Sequence, residues 1–179
     1  MRLFVVRHGQ TDINIQYRIN SLNDEDINSE GIRQAESLRE NMRDIDYDII
    51  ISSPLTRALH TAQIINCREK EIVVDDRIIE RKAGKMTLAS LNDVDNIDWW
   101  RISPVADYYD AETVVNLIER IRLFLKDIQE KYKNKNIVLV THGGVSKAIR
   151  TCIQGVPENG SLASYSQKNC EILQFEFDE

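Results

Sequence analysis

Cysteine, proline, histidine and glycine are all scarce in this 179-residue chain, and each scarcity narrows what it can be. Cys67, Cys152 and Cys170 are the three cysteines. They are odd in number, far apart and without a CxxC pair, so reduced thiols are expected rather than a disulfide framework or a zinc site. Three prolines and seven glycines leave no Gly/Ser linker, and no repeat or low-complexity tract stands out. There is no long basic run: 29 acidic residues against 23 basic ones give a formal charge of −6. Nucleic-acid binding leans on Lys and Arg contacts to phosphates, so no nucleic-acid partner is expected. The same balance means that an anionic ligand must be captured by a local group of cations, not by the field of the whole protein. Long apolar runs are lacking too. Leu3-Phe4-Val5-Val6 is too short for a signal peptide or a membrane span, which makes a cytoplasmic setting without membrane partners the expectation.

What is present suits one soluble α/β domain. Apolar residues are 42% and charged residues 29% of the chain, a globular balance, and the length allows one substantial core. Leu3–Val6, Ile49–Ile51, Ile72–Val74 and Ile137–Val140 read as short buried strands. Residues 170–177 alternate and read as a last strand. Ala35, Leu38 and Met42 mark one face of a helix over 32–43, with Asn28 as its cap. Ser53-Pro54 reads as the start of another, with Ser53 as N-cap, running to about Asn66. Residues 112–132 place Ile118, Ile121, Leu125, Ile128 and Tyr132 on one face, and a helix over about 145–153 follows the fourth strand. Strands alternating with helices predict a three-layer sandwich, a mostly parallel central sheet with helices on both faces. Residues 81–110, with Trp99, Trp100 and Pro104, are irregular and read as a lid-like insertion in a single domain spanning 1–179.

Ligands of open α/β sheets bind beyond the carboxyl ends of the strands. Arg7-His8-Gly9 follows the first apolar run and Ser52-Ser53-Pro54-Leu55-Thr56-Arg57 the second. Glu80 comes shortly after the third, and Thr141-His142-Gly143-Gly144 follows the fourth. Two of the three histidines, two arginines and a glutamate thus converge on one sheet edge. His60, in the same helix as Arg57, is read as structural. Arg57 in a first helical turn opposes the helix dipole, a misfit that an anion bound there would resolve. Two histidines and a glutamate suit a metal, but the arginines would repel a divalent cation and instead suit a phosphate. A histidine beside that phosphate is a nucleophile at phosphorus, kept neutral by the surrounding positive charge. A carboxylic acid near the leaving oxygen can protonate it.

Arg7-His8-Gly9-Gln10-Thr11 with Asn14 resembles the signature of the histidine phosphatase superfamily (phosphoglycerate mutase-like, branch 1). Gly31 with Gln34-Ala35, Ser52-Ser53-Pro54 with Arg57-Ala58 and Thr61-Ala62, Glu80 with Gly84, Thr141-His142-Gly143-Gly144, and Asn169 continue the resemblance in order. It implies the phosphoglycerate mutase-like fold and hydrolysis of a phosphomonoester of a small metabolite, without metal or cofactor, through a phosphohistidine on His8. Arg7, Arg57 and His142 would hold the transferring oxygens, Thr11 and Asn14 would line the phosphate pocket, and Gly143 would add a backbone N–H. Glu80 would protonate the leaving group and then help water attack.

The resemblance fades across 85–110. Lys85-Met86 stands where many relatives have Glu-Gly, Ala83 where mutases carry Tyr, and Trp99-Trp100-Arg101 where they carry adjacent arginines. The Thr-Gly-Trp stretch of mutases has no counterpart around Asn20-Ser21-Leu22. These departures favour a phosphatase over the alternative, a phosphoglycerate mutase or related phosphotransferase. A non-catalytic phospholigand-binding module is disfavoured because no core residue is missing. Trp99, Trp100, Tyr108 and Tyr109 either stack on a substrate ring or pack the lid onto the domain. Asp93, Asp95, Asp98, Asp107 and Asp110 make the lid acidic, with Lys82 and Lys85 offsetting them near Glu80. Oligomeric state has no signature in the sequence.

Overall fold

A computed structural model describes residues 1–103 and 110–177. Pro104, Asp107, Tyr108 and Tyr109 lie outside the described residues. In chain order the elements are β1 (Arg2–Arg7), α1 (Asp12–Ile15), α2 (Ser29–Met42), β2 (Ile49–Ser52), α3 (Thr56–Ile65) and β3 (Ile72–Val74). They continue with α4 (Asn96–Trp99), α5 (Val114–Lys131), β4 (Ile137–Thr141), α6 (Gly143–Gln154) and β5 (Ile172–Glu176), with short 3-10 turns between.

The five strands form one sheet in the order β3-β2-β4-β1-β5. The first four are mutually parallel, and β5 runs antiparallel along β1. Strand side chains alternate between faces, and the core divides accordingly. Leu3, Val5, Ile49, Ile51, Ile137 and Leu139 face α5 and α6, where Leu117, Ile121, Phe124 and Ile149 meet them. Phe4, Val6, Ile50, Val138 and Val140 face α2 and α3 and pack on Leu38, Met42, Ala58 and Ile65. Both faces are therefore covered, which is why the parallel strands read as unbroken apolar runs. The expected three-layer α/β sandwich is the observed one.

One expected helix start is different. The N-cap of α3 is Leu55, not Ser53, and it offers no side-chain cap. Asp24 supplies the cap from another part of the chain: its carboxylate accepts from the Thr56 backbone N–H at 2.7 Å and from the Thr56 hydroxyl at 3.1 Å. Asn28 caps α2 as expected, its Oδ1 accepting from Gly31 N at 2.9 Å.

Residues 81–103 run over the sheet's carboxyl edge as turns and the short helix α4. Trp99 packs there with Ala83 and Ala111 in a small apolar cluster. Asp95 caps α4 and Asp98 pairs with Arg101, so these acids are used locally. Among the described residues no helix is long and apolar enough to cross a membrane.

Candidate active site

β1 ends at Arg7, so His8 emerges at the carboxyl edge of the sheet, held by a bond from its N–H to Thr141 O at 2.9 Å. The ring is buried, with Nδ1 2.7 Å from the Gly9 carbonyl oxygen. A carbonyl only accepts, so Nδ1 carries the hydrogen, and Nε2 keeps its lone pair with no partner among the described residues. Burial holds the His8 pKa well below the ordinary imidazole value, and Arg57 and Arg7 push it the same way, against the Gly9 carbonyl. The neutral tautomer with a free Nε2 is the nucleophilic form.

His142 follows β4 as His8 follows β1, and the two ring centroids lie 5.2 Å apart. Ser53, the residue read as a helix cap, instead places its hydroxyl 2.7 Å from His142 Nε2. That hydroxyl also accepts from Leu55 N, and its hydrogen has no other acceptor among the described residues, so it goes to Nε2 and the His142 hydrogen sits on Nδ1. Nδ1 is then a buried donor with no partner among the described residues. Arg7 Nε and Arg57 Nε are likewise buried without partners among the described residues. Arg7 is anchored through Nη1 to Gln167 O at 2.8 Å. Arg57, fully buried, is anchored to Asn23 O and Ser21 O at 2.7 and 2.9 Å. Buried donors without partners are costly, and their gathering around His8 describes a site built for an oxyanion.

The acid lies across from them. Glu80 accepts from Arg81 N at 2.8 Å through Oε1 and from Gly144 N at 3.3 Å through Oε2. A Cβ on Gly144 would overlap Glu80 Oε1 and stand 2.9 Å from Trp100 Cη2. The second glycine after His142 is therefore the space into which the carboxylate fits.

Arg7, His8, Asn14, Glu80, Gly143 and Gly144 line a cleft of about 610 Å³. Arg57, His142 and Thr11 lie beneath it, fully buried. The Thr11 hydroxyl does not line the cleft: it accepts from Asn14 N and Asn20 Nδ2, both at 3.3 Å, and caps α1. It positions Asn14, whose Oδ1 is held by Thr11 N and Asn169 Nδ2. Asn14 Nδ2 is left without a partner among the described residues. Asn169 also binds His8 O at 2.8 Å. The candidates read from the strand ends are thus gathered at one place.

The sequence matches the model of the histidine phosphatase superfamily, branch 1, over residues 3–179. The chain belongs to that superfamily. It is 35% identical to the uncharacterized phosphatase PhoE of Bacillus subtilis over 98% of this chain and 88% of the relative. A relative with a phosphoglycerate mutase name, GpmB of Proteus mirabilis, is 27% identical over 99% of this chain and 85% of its own. Among solved structures, a phosphoserine phosphatase mutant from Entamoeba histolytica, in complex with phosphoserine, superimposes with a TM-score of 0.85 at 26% identity. That match covers 99% of this chain and 91% of the other.

Several residues of this histidine phosphatase site had no signal in the motif reading. Arg81, Lys147 and Gln167 all line the cleft. Lys147 lies one turn after Gly143 on α6, a spacing that turns both toward the same side. Gln167 holds β1 and Arg7 through contacts between residues 160 or more apart, which no local pattern announces. Conversely, Lys82 and Lys85, expected near Glu80, do not line the cleft. His60 pairs with Asp26 away from it, in line with its structural reading. Trp99, buried in the segment's own packing, and Trp100, half-buried, both reach the cleft wall.

Proposed function

We propose that this chain is a metal-independent phosphatase that hydrolyses a phosphomonoester of a small metabolite through a phosphohistidine on His8. In the first step His8 Nε2 bonds to phosphorus as the bond to the leaving oxygen breaks, and the proton on Glu80 passes to that oxygen. Arg7, Arg57 and the His142 Nδ1–H hold the transferring oxygens and offset the charge that grows on them. Asn14 Nδ2 and the Gly143 N–H add donors. In the second step water gives a proton to Glu80 and its oxygen to phosphorus. The N–P bond breaks, phosphate leaves, and His8 and Glu80 return to their starting states.

The observation that carries this reading is the free Nε2 of a neutral His8 amid partnerless Arg7, Arg57 and His142 donors. A phosphatase name on a relative 35% identical over nearly the whole chain supports it independently. The match across 3–179 supports one catalytic domain, within which 81–110 is read as a lid-like insertion. Three free cysteines fit a cytoplasmic setting. The test is turnover of an aryl phosphate with chelator present: the wild-type protein should hydrolyse it, and His8→Ala should not. Undiminished turnover by His8→Ala would overturn the mechanism.

The mutase alternative has the GpmB relative in its favour. Formation of 2-phosphoglycerate from 3-phosphoglycerate with a bisphosphoglycerate primer, faster than phosphate release, would establish it instead.

A further inference from the structure

His8, Arg57 and His142 are set in place by strand ends and helices, but Glu80 is not. It lies between the short turns Asp76–Ile78 and Gly84–Met86, in a stretch with neither helix nor strand bonding. A general acid acts only within hydrogen-bond reach of the oxygen it protonates. Other parts of the chain must therefore fix the backbone on either side of Glu80.

The ties converge on Arg120, on α5, and on Glu112, just ahead of that helix. Arg120 Nη1 donates to the carbonyls of Arg77 at 2.6 Å and Ile79 at 3.0 Å, immediately before Glu80. The rest of its fork grips Glu112, Nε on Oε1 at 2.9 Å and Nη2 on Oε2 at 2.8 Å. Glu112 in turn holds the chain after Glu80: its N–H donates to Lys82 O and its carbonyl accepts from Arg81 Nε, both at 2.8 Å. The Ile78 carbonyl, between the two Arg120 contacts, accepts from the Thr141 hydroxyl at 2.8 Å. Neither Arg120 nor Glu112 lines the cleft, so the pair reaches the chemistry only through the segment that carries Glu80. A fork that meets a carboxylate and two carbonyls at once needs the planar guanidinium, which an ammonium does not replace. Stability alone is a weak account of such a pair, because a largely buried ion pair adds little net stability.

We propose that Arg120 is a positioning residue for proton transfer: with Glu112 as its partner it fixes the backbone on both sides of Glu80 and so keeps the acid at the leaving oxygen. The proposal rests on the phosphatase reading, with Glu80 as the proton donor. Its test compares p-nitrophenyl phosphate, whose stabilised phenolate leaves with little need of a proton, with phenyl phosphate, whose leaving oxygen depends on the acid. The quantity read is the ratio of kcat/KM for the nitrophenyl ester to that for the phenyl ester. R120K should raise this ratio by about fivefold or more, because a displaced acid costs the poorer leaving group more. The ratio is taken within one preparation, so incomplete folding lowers both rates alike and leaves it unmoved. An unchanged ratio in R120K overturns the proposal, since a merely structural arginine would cost both substrates equally. Should R120K fail to fold, E112Q, which removes the charge that the fork grips, carries the same expectation and the same power to overturn it. E80Q marks failure of the reading beneath: a wild-type ratio in E80Q overturns Glu80 as the acid, and the absence of aryl phosphate turnover by the wild-type protein overturns the phosphatase reading. Either result takes the proposal with it.

Discussion

His8 Nδ1 lies 2.7 Å from the carbonyl oxygen of Gly9, its own chain neighbour, and this contact decides which face of the ring is chemically available. The hydrogen on Nδ1 is committed to the backbone, so protonation of His8 can occur only at Nε2, the atom that must attack. Burial, Arg57 and Arg7 all oppose that protonation. After correction for ionisation of the substrate, the acid limb of kcat/KM assigned to His8 should lie below pH 6.5. Nitrogen-15 NMR at pH 6 should show an unprotonated Nε2. An acid-limb midpoint at or above pH 6.5 would contradict this.

The same burial links stability to pH. His8 and His142 both have folded-state pKa values held well below 6.5, chiefly by desolvation. Below pH 6.5 the unfolded chain binds protons at these positions and the folded chain does not, so stability is lost as the pH falls. The slope is up to about 1.4 kcal/mol per pH unit for each histidine. Denaturant titrations from pH 7.5 down to 5 should show it, and replacing His142 by Asn should reduce it. An unchanged midpoint across that range would count against the buried neutral pair.

Gly144→Ala separates catalysis from folding. The added methyl would overlap the end of the Glu80 side chain, which can swing away, and press on the edge of the Trp100 ring, which lines the cleft and has room to shift slightly, so the fold should survive. The variant should keep a melting temperature within a few degrees of the parent while kcat falls by about a hundredfold or more, the scale of a displaced general acid. A variant of near-normal kcat would show that Glu80 need not occupy this space.

Ser53→Ala tests the tautomer of His142. Without the hydroxyl, Nε2 loses its donor, and nothing keeps the hydrogen on Nδ1. A fall in kcat of about tenfold is expected with KM little changed, since the loss falls on charge developing in the transition state. If Ser53 were a helix cap, the variant would lower stability and leave kcat alone.

Asp24→Ala should behave in the opposite way. Removing the carboxylate leaves the start of α3 without its two bonds at Thr56, at a cost of about 1 kcal/mol, or a fall of about 2–4 °C in melting temperature for a chain of this size. Thermal unfolding would measure it, and no change would remove Asp24 from its capping role.

The contrast between Ser53 and Asp24 shows where the sequence was legible. The parallel strands are covered on both faces, so they appear as apolar runs, and each run ends where chemistry begins. That made Arg7, His8, Arg57, Glu80 and His142 readable together. Ser53 before Pro54 has the local form of a cap, yet its hydroxyl is taken by a histidine 89 residues away. The true cap stands 32 residues upstream of Thr56 in a loop without periodicity. Thr11 was readable as a site residue but not as one lying beneath the cleft, because both a capping and a lining threonine fit the motif. Arg81 and Lys147 depend on carbonyls of distant turns, and a single charged residue, whether in a turn or on a helix, gives no sign of such anchoring.

The pairing of β1 with β4 sets Arg7 opposite Thr141, which brings His8 beside His142 across 134 residues of chain. Strand side chains alternate, so a slip of one residue between these two strands would send His8 and Arg7 to opposite faces from those they now occupy. Turnover is thus a readout of strand register: a chain that has collapsed and regained its helices but mispaired its two central strands holds every catalytic residue and performs no chemistry. In refolding, activity should return in step with the sheet and never ahead of it.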